Sequence, residues 1–111
     1  EPLEVPGTLL RECGPDKVLV LDCLTLWVSN LLLQDREDAW VRTRLEELET
    51  SLQAAQGRIV VVSNEVGQGI VPDNAMARRF RDLVGWANQR VAAVAQGVVW
   101  MVAGLPLQVK G

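Results

Sequence analysis

Because the 111 residues contain no histidine, any chemistry this chain does must come from carboxylates, amides, hydroxyls, lysines or arginines. That excludes Ser-His-Asp and Cys-His catalysis, histidine-ligated metals and histidine-phosphate chemistry from this chain. The most suggestive acid is Asp22, which ends the apolar run Val18-Leu19-Val20-Leu21. Phosphate-handling enzymes use this arrangement to hold Mg²⁺, directly or through its water shell, beside a nucleotide. The same arrangement also arises where a buried strand ends in an acid that merely caps the next helix. Ser63-Asn64-Glu65 follows a second such run, Ile59-Val60-Val61-Val62. There an amide and a carboxylate could orient a water or a phosphate oxygen, or could close an Asx-type turn. Gly67-Gln68-Gly69 has neither the lysine nor the helix start of a phosphate cradle, and no G-x-x-x-x-G-K-[ST] occurs in the chain. Arg78, Arg79 and Arg81 could reach an anionic ligand, or form a solvated face paired with Asp73 and Asp82.

Positioning these groups requires strands. Val18 to Leu21, Arg58 to Ser63 and Val98 to Ala103 are short, apolar and partly β-branched, and read as parallel strands buried on both faces. Between them lie a helix over Cys23 to Gln34 with apolar residues on several faces, and an amphipathic helix over Glu37 to Gln56 carrying Val41, Leu45, Leu48 and Leu52. A third helix is expected from an Asp73 N-cap to Gln96, with Met76, Phe80, Leu83, Val84, Ala87 and Val91 as its stripe. Gly57 and Gly97 are placed to end the second and third helices. Leu107 to Lys110 reads as a short edge strand, and Trp27, Trp40, Trp86 and Trp100 as core or subunit-contact residues rather than a stacking platform. Strand alternating with helix gives an α/β layered domain with a parallel sheet, whose ligands gather at the carboxyl ends of its strands. With so few helices to cover it, the sheet reads as part of a larger one.

Composition narrows the class. Eleven Lys and Arg against 14 Asp and Glu leave a net charge of −3, which disfavours a nucleic-acid partner. At 49% hydrophobic the chain is globular, and its length fits one domain over residues 1–111. Cys13 and Cys23 lack a C-x-x-C spacing, which favours a reduced, cytoplasmic protein. No run is long enough for a membrane span.

The stretch Ser63-Asn64-Glu65-Val66-Gly67-Gln68-Gly69-Ile70-Val71-Pro72, continued by Ala77-Arg78-Arg79-Phe80-Arg81-Asp82 and by Gly85, Asn88 and Gln89, closely resembles the bifunctional adenosylcobinamide kinase/adenosylcobinamide-phosphate guanylyltransferase family of cobalamin biosynthesis. Leu19 to Thr25, Asn30-Leu31-Leu32 and Gly104-Leu105-Pro106-Leu107 resemble the same family, so the likeness covers nearly the whole chain. It implies a RecA-like P-loop NTPase fold of which this is the C-terminal part, a homotrimer or an N-terminal companion fragment, ATP or GTP as substrates with Mg²⁺, and transfer of GMP through a guanylylated histidine. It also implies a nucleotide contact at Asp22, where the family usually has Glu. The family's phosphate loop and histidine would lie upstream, before the segment that Glu1-Pro2 resembles, so the 111 residues alone are expected to be inactive. A non-catalytic interaction or oligomerisation module is the competing reading. A hydrolase using Asp22 and Glu65 as paired carboxylates is a weaker third, because nothing supplies its metal ligands. In a RecA-like sheet the missing phosphate-loop strand would separate the strand at Arg58 from the strand at Val98, leaving a gap that these two are not expected to close by pairing with each other.

Overall fold

The computed structural model describes residues 4–67 and 69–111; Glu1-Pro2 and Gln68, which carry part of the resemblance, lie outside them. In chain order the elements are α1 (Val5–Glu12), β1 (Val18–Asp22), α2 (Leu24–Leu32), α3 (Asp38–Ala54), β2 (Arg58–Val62), α4 (Ala75–Val94), β3 (Val98–Val102) and β4 (Leu105–Lys110). The fold is mixed α/β with a small parallel sheet. β1 and β2 pair in parallel, from Val18 opposite Arg58 to Asp22 opposite Val62.

The helices pool their apolar stripes on one side of this pair. Leu24, Trp27, Val28 and Leu31 of α2 meet Val41, Leu45 and Leu48 of α3 and Leu83, Val84 and Ala87 of α4, with Leu19, Leu21, Ile59 and Val61 of the strands packed against them. Trp86 joins α3 to α4: Arg42 lies 4.6 Å and Arg90 5.4 Å from its ring centroid, and Arg90 also pairs with Glu49 at 2.6 Å. The expectation of strands buried on both faces is overturned. Alternation along β1 and β2 leaves Val18 and Val20 each 62% exposed, with Val60 and Val62 beside them, because the helices share one cluster and none of the described residues covers the other face.

The third strand is not parallel either. β3 pairs antiparallel with β4, and among the described residues β2 and β3 belong to separate two-stranded sheets and do not pair with each other. A two-residue turn joins β3 to β4, with positive φ at both Ala103 (52°) and Gly104 (77°), the geometry that matches strand twist in tight hairpins. β4 therefore begins at Leu105 rather than Leu107 and includes Pro106, which an edge strand tolerates. Lys110 Nζ ties the hairpin to the end of α4, donating to the carbonyls of Ala92 and Ala93 at 2.9 and 3.0 Å.

Helix ends also differ from expectation. Asn74, not Asp73, caps α4, its side chain accepting from the Ala77 N–H at 2.7 Å. Met76 is exposed rather than part of the α4 stripe. The C-caps of α3 and α4 are Ala55 and Ala95, each two residues before its glycine. Gly57 has another task. A Cβ there would stand 2.3 Å from the Gly14 carbonyl oxygen and 2.6 Å from that of Lys17, so the segment before β1 crosses directly over it. Residues 5–12, not assigned from sequence, form α1 because Pro6 sits in the first turn, and Pro6 and Leu9 are buried.

Candidate functional site at the carboxyl ends of the parallel strands

Strand alternation assigns Asp22 to the same face as Val18 and Val20, the uncovered one, at the carboxyl end of β1. Its carboxylate makes no hydrogen bond or ion pair with any described residue. The N-cap of α2 is Cys23, with no side-chain cap hydrogen bond, so Asp22 is not retained as a helix cap. An unpartnered carboxylate at this end of a parallel strand is available to a ligand.

On the neighbouring strand the chain leaves β2 through Ser63 and Asn64, and this exit is tied down from two helices. The Asn64 N–H donates to Thr25 Oγ1 of α2 at 3.0 Å, and Asn88 Nδ2 of α4 donates to the Asn64 carbonyl at 2.9 Å. Ser63 Oγ donates to Asn88 Oδ1 at 2.5 Å and lies 3.3 Å from Thr25 Oγ1. The side-chain amide of Asn64 itself remains without a partner among the described residues. Glu65 differs: its Oε1 accepts from the Gly67 N–H at 2.6 Å, so one carboxylate oxygen closes the local turn considered from sequence.

The arginines do not pair as expected. Arg81 donates to the carbonyls of Gly67 and Gly69 at 2.8 and 3.1 Å, and Arg78 to that of Pro72 at 2.9 Å. Arg79 turns to α3, pairing with Asp38 and donating to the Arg36 carbonyl at 2.7 Å. Asp73 and Asp82 take no part. Arg78, Arg81 and Asn88 recur at helical spacing, so one side of α4 acts as a splint along the loop from Asn64 to Pro72. The roles of Thr25 and Asn88 were not assigned from sequence. The signal was a polar residue beside buried neighbours, Leu24 in one case and Ala87 in the other.

The donor set bears on a metal. Among the described residues no three Cys, Asp or Glu side chains converge as a metal cage. Mg²⁺ needs no such cage, since it keeps several waters and takes one or two carboxylates together with substrate phosphates. Asp22 fits that partial role, as a single carboxylate that would hold the ion through water, and the ion would supply the positive charge that offsets the phosphates. Among the described residues no helix is long and apolar enough to cross a membrane.

Comparison with known proteins converges on one family. The family model described as cobinamide kinase / cobinamide phosphate guanyltransferase matches residues 1–109. The bifunctional adenosylcobalamin biosynthesis protein CobP of Pseudomonas aeruginosa is 43% identical over 111 residues, covering 100% of this chain and 64% of the relative. The bifunctional adenosylcobalamin biosynthesis protein CobU of Salmonella typhimurium is 37% identical, covering 92% of this chain and 63% of that protein, and CobU of Escherichia coli is 35% identical, covering 89% and 61%. The chain thus spans a little over three fifths of the length of these relatives.

Proposed function

The chain belongs to the cobinamide kinase / cobinamide phosphate guanyltransferase family, and on that footing we propose that it forms the larger part of an enzyme that phosphorylates adenosylcobinamide from ATP or GTP and then transfers GMP to the product. The observation that carries this reading is Asp22, an unpartnered carboxylate at the carboxyl end of a parallel strand. Within it, Asp22 contacts the nucleotide or, through water, its Mg²⁺. The Asn64 amide hydrogen-bonds a phosphate oxygen or an attacking water. Glu65 shapes the loop with one oxygen and keeps the other for the same purpose. A RecA-like sheet, with a phosphate-loop strand in the gap between β2 and β3, would bring the phosphates to these residues. A homotrimer in the cytoplasm is the setting the reading implies.

The test is Asp22→Ala in the full-length protein. Nucleotide-dependent turnover is expected to fall by about 10²-fold or more, as when an electrostatic contact to the transferring group is lost. The melting temperature should stay within a degree or two of wild type, since no described residue depends on this carboxylate. Normal turnover would refute the assignment. The 111 residues alone are expected to be inactive, lacking a histidine nucleophile and a phosphate-loop lysine. Incorporation of GMP into this polypeptide would contradict that. The uncovered valine face favours a second reading, an interaction or oligomerisation module. It would prevail if the full-length protein bound partners but no nucleotide.

A further inference from the structure

The polar groups around Asn64 form a circuit whose proton directions follow from donor and acceptor chemistry. The Asn64 carbonyl can only accept, so the Asn88 atom facing it is the amide nitrogen, and Oδ1 is the atom facing Ser63. Oδ1 cannot donate, so Ser63 spends its one hydroxyl proton there. Ser63 Oγ can then only accept from Thr25, whose own proton is free for this because Thr25 Oγ1 accepts from the Asn64 N–H. The circuit therefore runs one way, from the Asn64 N–H through Thr25, Ser63 and Asn88 back to the Asn64 carbonyl. Each bond leaves its oxygen or amide better polarised for the next.

We propose that Thr25, Ser63 and Asn88 are positioning residues for the phosphoryl transfer, holding both peptide groups of Asn64 so that its free side-chain amide is presented at the strand ends beside Asp22. The inference rests on the functional reading above. It goes beyond it in giving three side chains that meet no substrate a defined effect on rate. The ring draws on α2, α4 and the segment that leaves β2, so a shift of either helix moves Asn64. All of the ring's bonds to Asn64 go to its backbone, and its side-chain amide takes no part in them. A displacement of about 1 Å at a group aligned with a reacting atom can cost on the order of 10²-fold in rate.

The experiment compares Thr25→Val, which keeps shape and removes the hydroxyl, with Thr25→Ser, which restores it, and adds Asn88→Asp, which replaces the donor facing the Asn64 carbonyl by an acceptor. All are made in the full-length protein. Two quantities are read: amide hydrogen exchange at Asn64 by NMR, and kcat and KM for the nucleotide. Thr25→Val and Asn88→Asp are expected to speed exchange at Asn64 and to lower kcat by about 10- to 100-fold with KM changed less than about threefold. Thr25→Ser should restore both. Exchange at Asn64 that is already fast in wild type, or unchanged in Thr25→Val, would overturn the ring whatever the enzyme does. Faster exchange with unchanged kcat would overturn the positioning role. A wild-type protein without nucleotide-dependent turnover would instead strike the functional reading, along with any role in rate, while exchange still judged the ring.

Discussion

At the scale of single residues, the informative distinction is between polar groups that the fold consumes and those it leaves open. Asp22 and the Asn64 amide are open. Arg78, Arg79 and Arg81 are consumed, two by loop carbonyls and one by α3. Arg81 spans Gly67 and Gly69 with one nitrogen, so Arg81→Ala should free the middle of the loop without disturbing the core beneath it. Cleavage between residues 64 and 72 in limited proteolysis is expected to become several-fold faster, with little change in melting temperature. Unchanged cleavage would mean that the splint is dispensable. Asp38 offers a contrast. Its pair with Arg79 is solvent-exposed, so Asp38→Ala should cost less than about 1 kcal/mol in chemical denaturation.

Elements in this protein are set as much by close approach and turn geometry as by periodicity. Gly57 has no room for a side chain, because the carbonyls of Gly14 and Lys17 lie over it and its own N–H donates to the Cys13 carbonyl at 3.2 Å. Gly57→Ala must push backbone against backbone. An expected loss of about 1–3 kcal/mol, read from urea unfolding, follows from the usual cost of overpacking. The β3–β4 turn predicts the opposite sign. Ala103 holds a left-handed φ of 52° ahead of Gly104, a position that asparagine fills at lower cost. Ala103→Asn is expected to stabilise by roughly 0.5–1 kcal/mol, and a lower unfolding midpoint would contradict the turn assignment.

For the molecule as a whole, the dominant fact is an α/β layer that the described residues cover on one side. Val18, Val20, Val60 and Val62 line the open face of β1 and β2, while Val99, Met101, Leu105 and Leu107 are exposed on the hairpin. Unpaired strand edges beside such surface favour association with another chain. The 111-residue chain purified alone is therefore expected to bind a hydrophobic dye strongly and to run above monomer mass in light scattering. The full-length protein should bind the dye weakly. A monomer with no dye binding would show that the valine face needs no cover.

Much of this architecture is legible in the order of residues, because burial is periodic and local. The runs before Asp22 and Ser63 mark β1 and β2, and the spacing of Val41, Leu45 and Leu48 and of Leu83, Val84 and Ala87 marks α3 and α4 to within a few residues. The polar residues that end each apolar run also point to Asp22 and Asn64 as strand-end groups, and the motif from Ser63 to Gln89 points to the family. What sequence could not decide were relations between distant parts. A run of valines does not reveal which of its faces the helices will cover, and Val18 to Leu21 looked doubly buried for that reason. Nor does a strand pattern give its partner: β3 turned back on β4 because Ala103 and Gly104 accept a tight turn. An arginine beside an aspartate in sequence gives no sign that its carbonyl partners lie more than ten residues away, across a loop. The ring around Asn64 belongs to the same class, since Thr25 of α2, Ser63 just beyond β2 and Asn88 of α4 meet only when the two helices pack on one side of β2. Tertiary structure alone brings those donors and acceptors within reach, because hydrogen bonds act over about 3 Å whatever the separation along the chain.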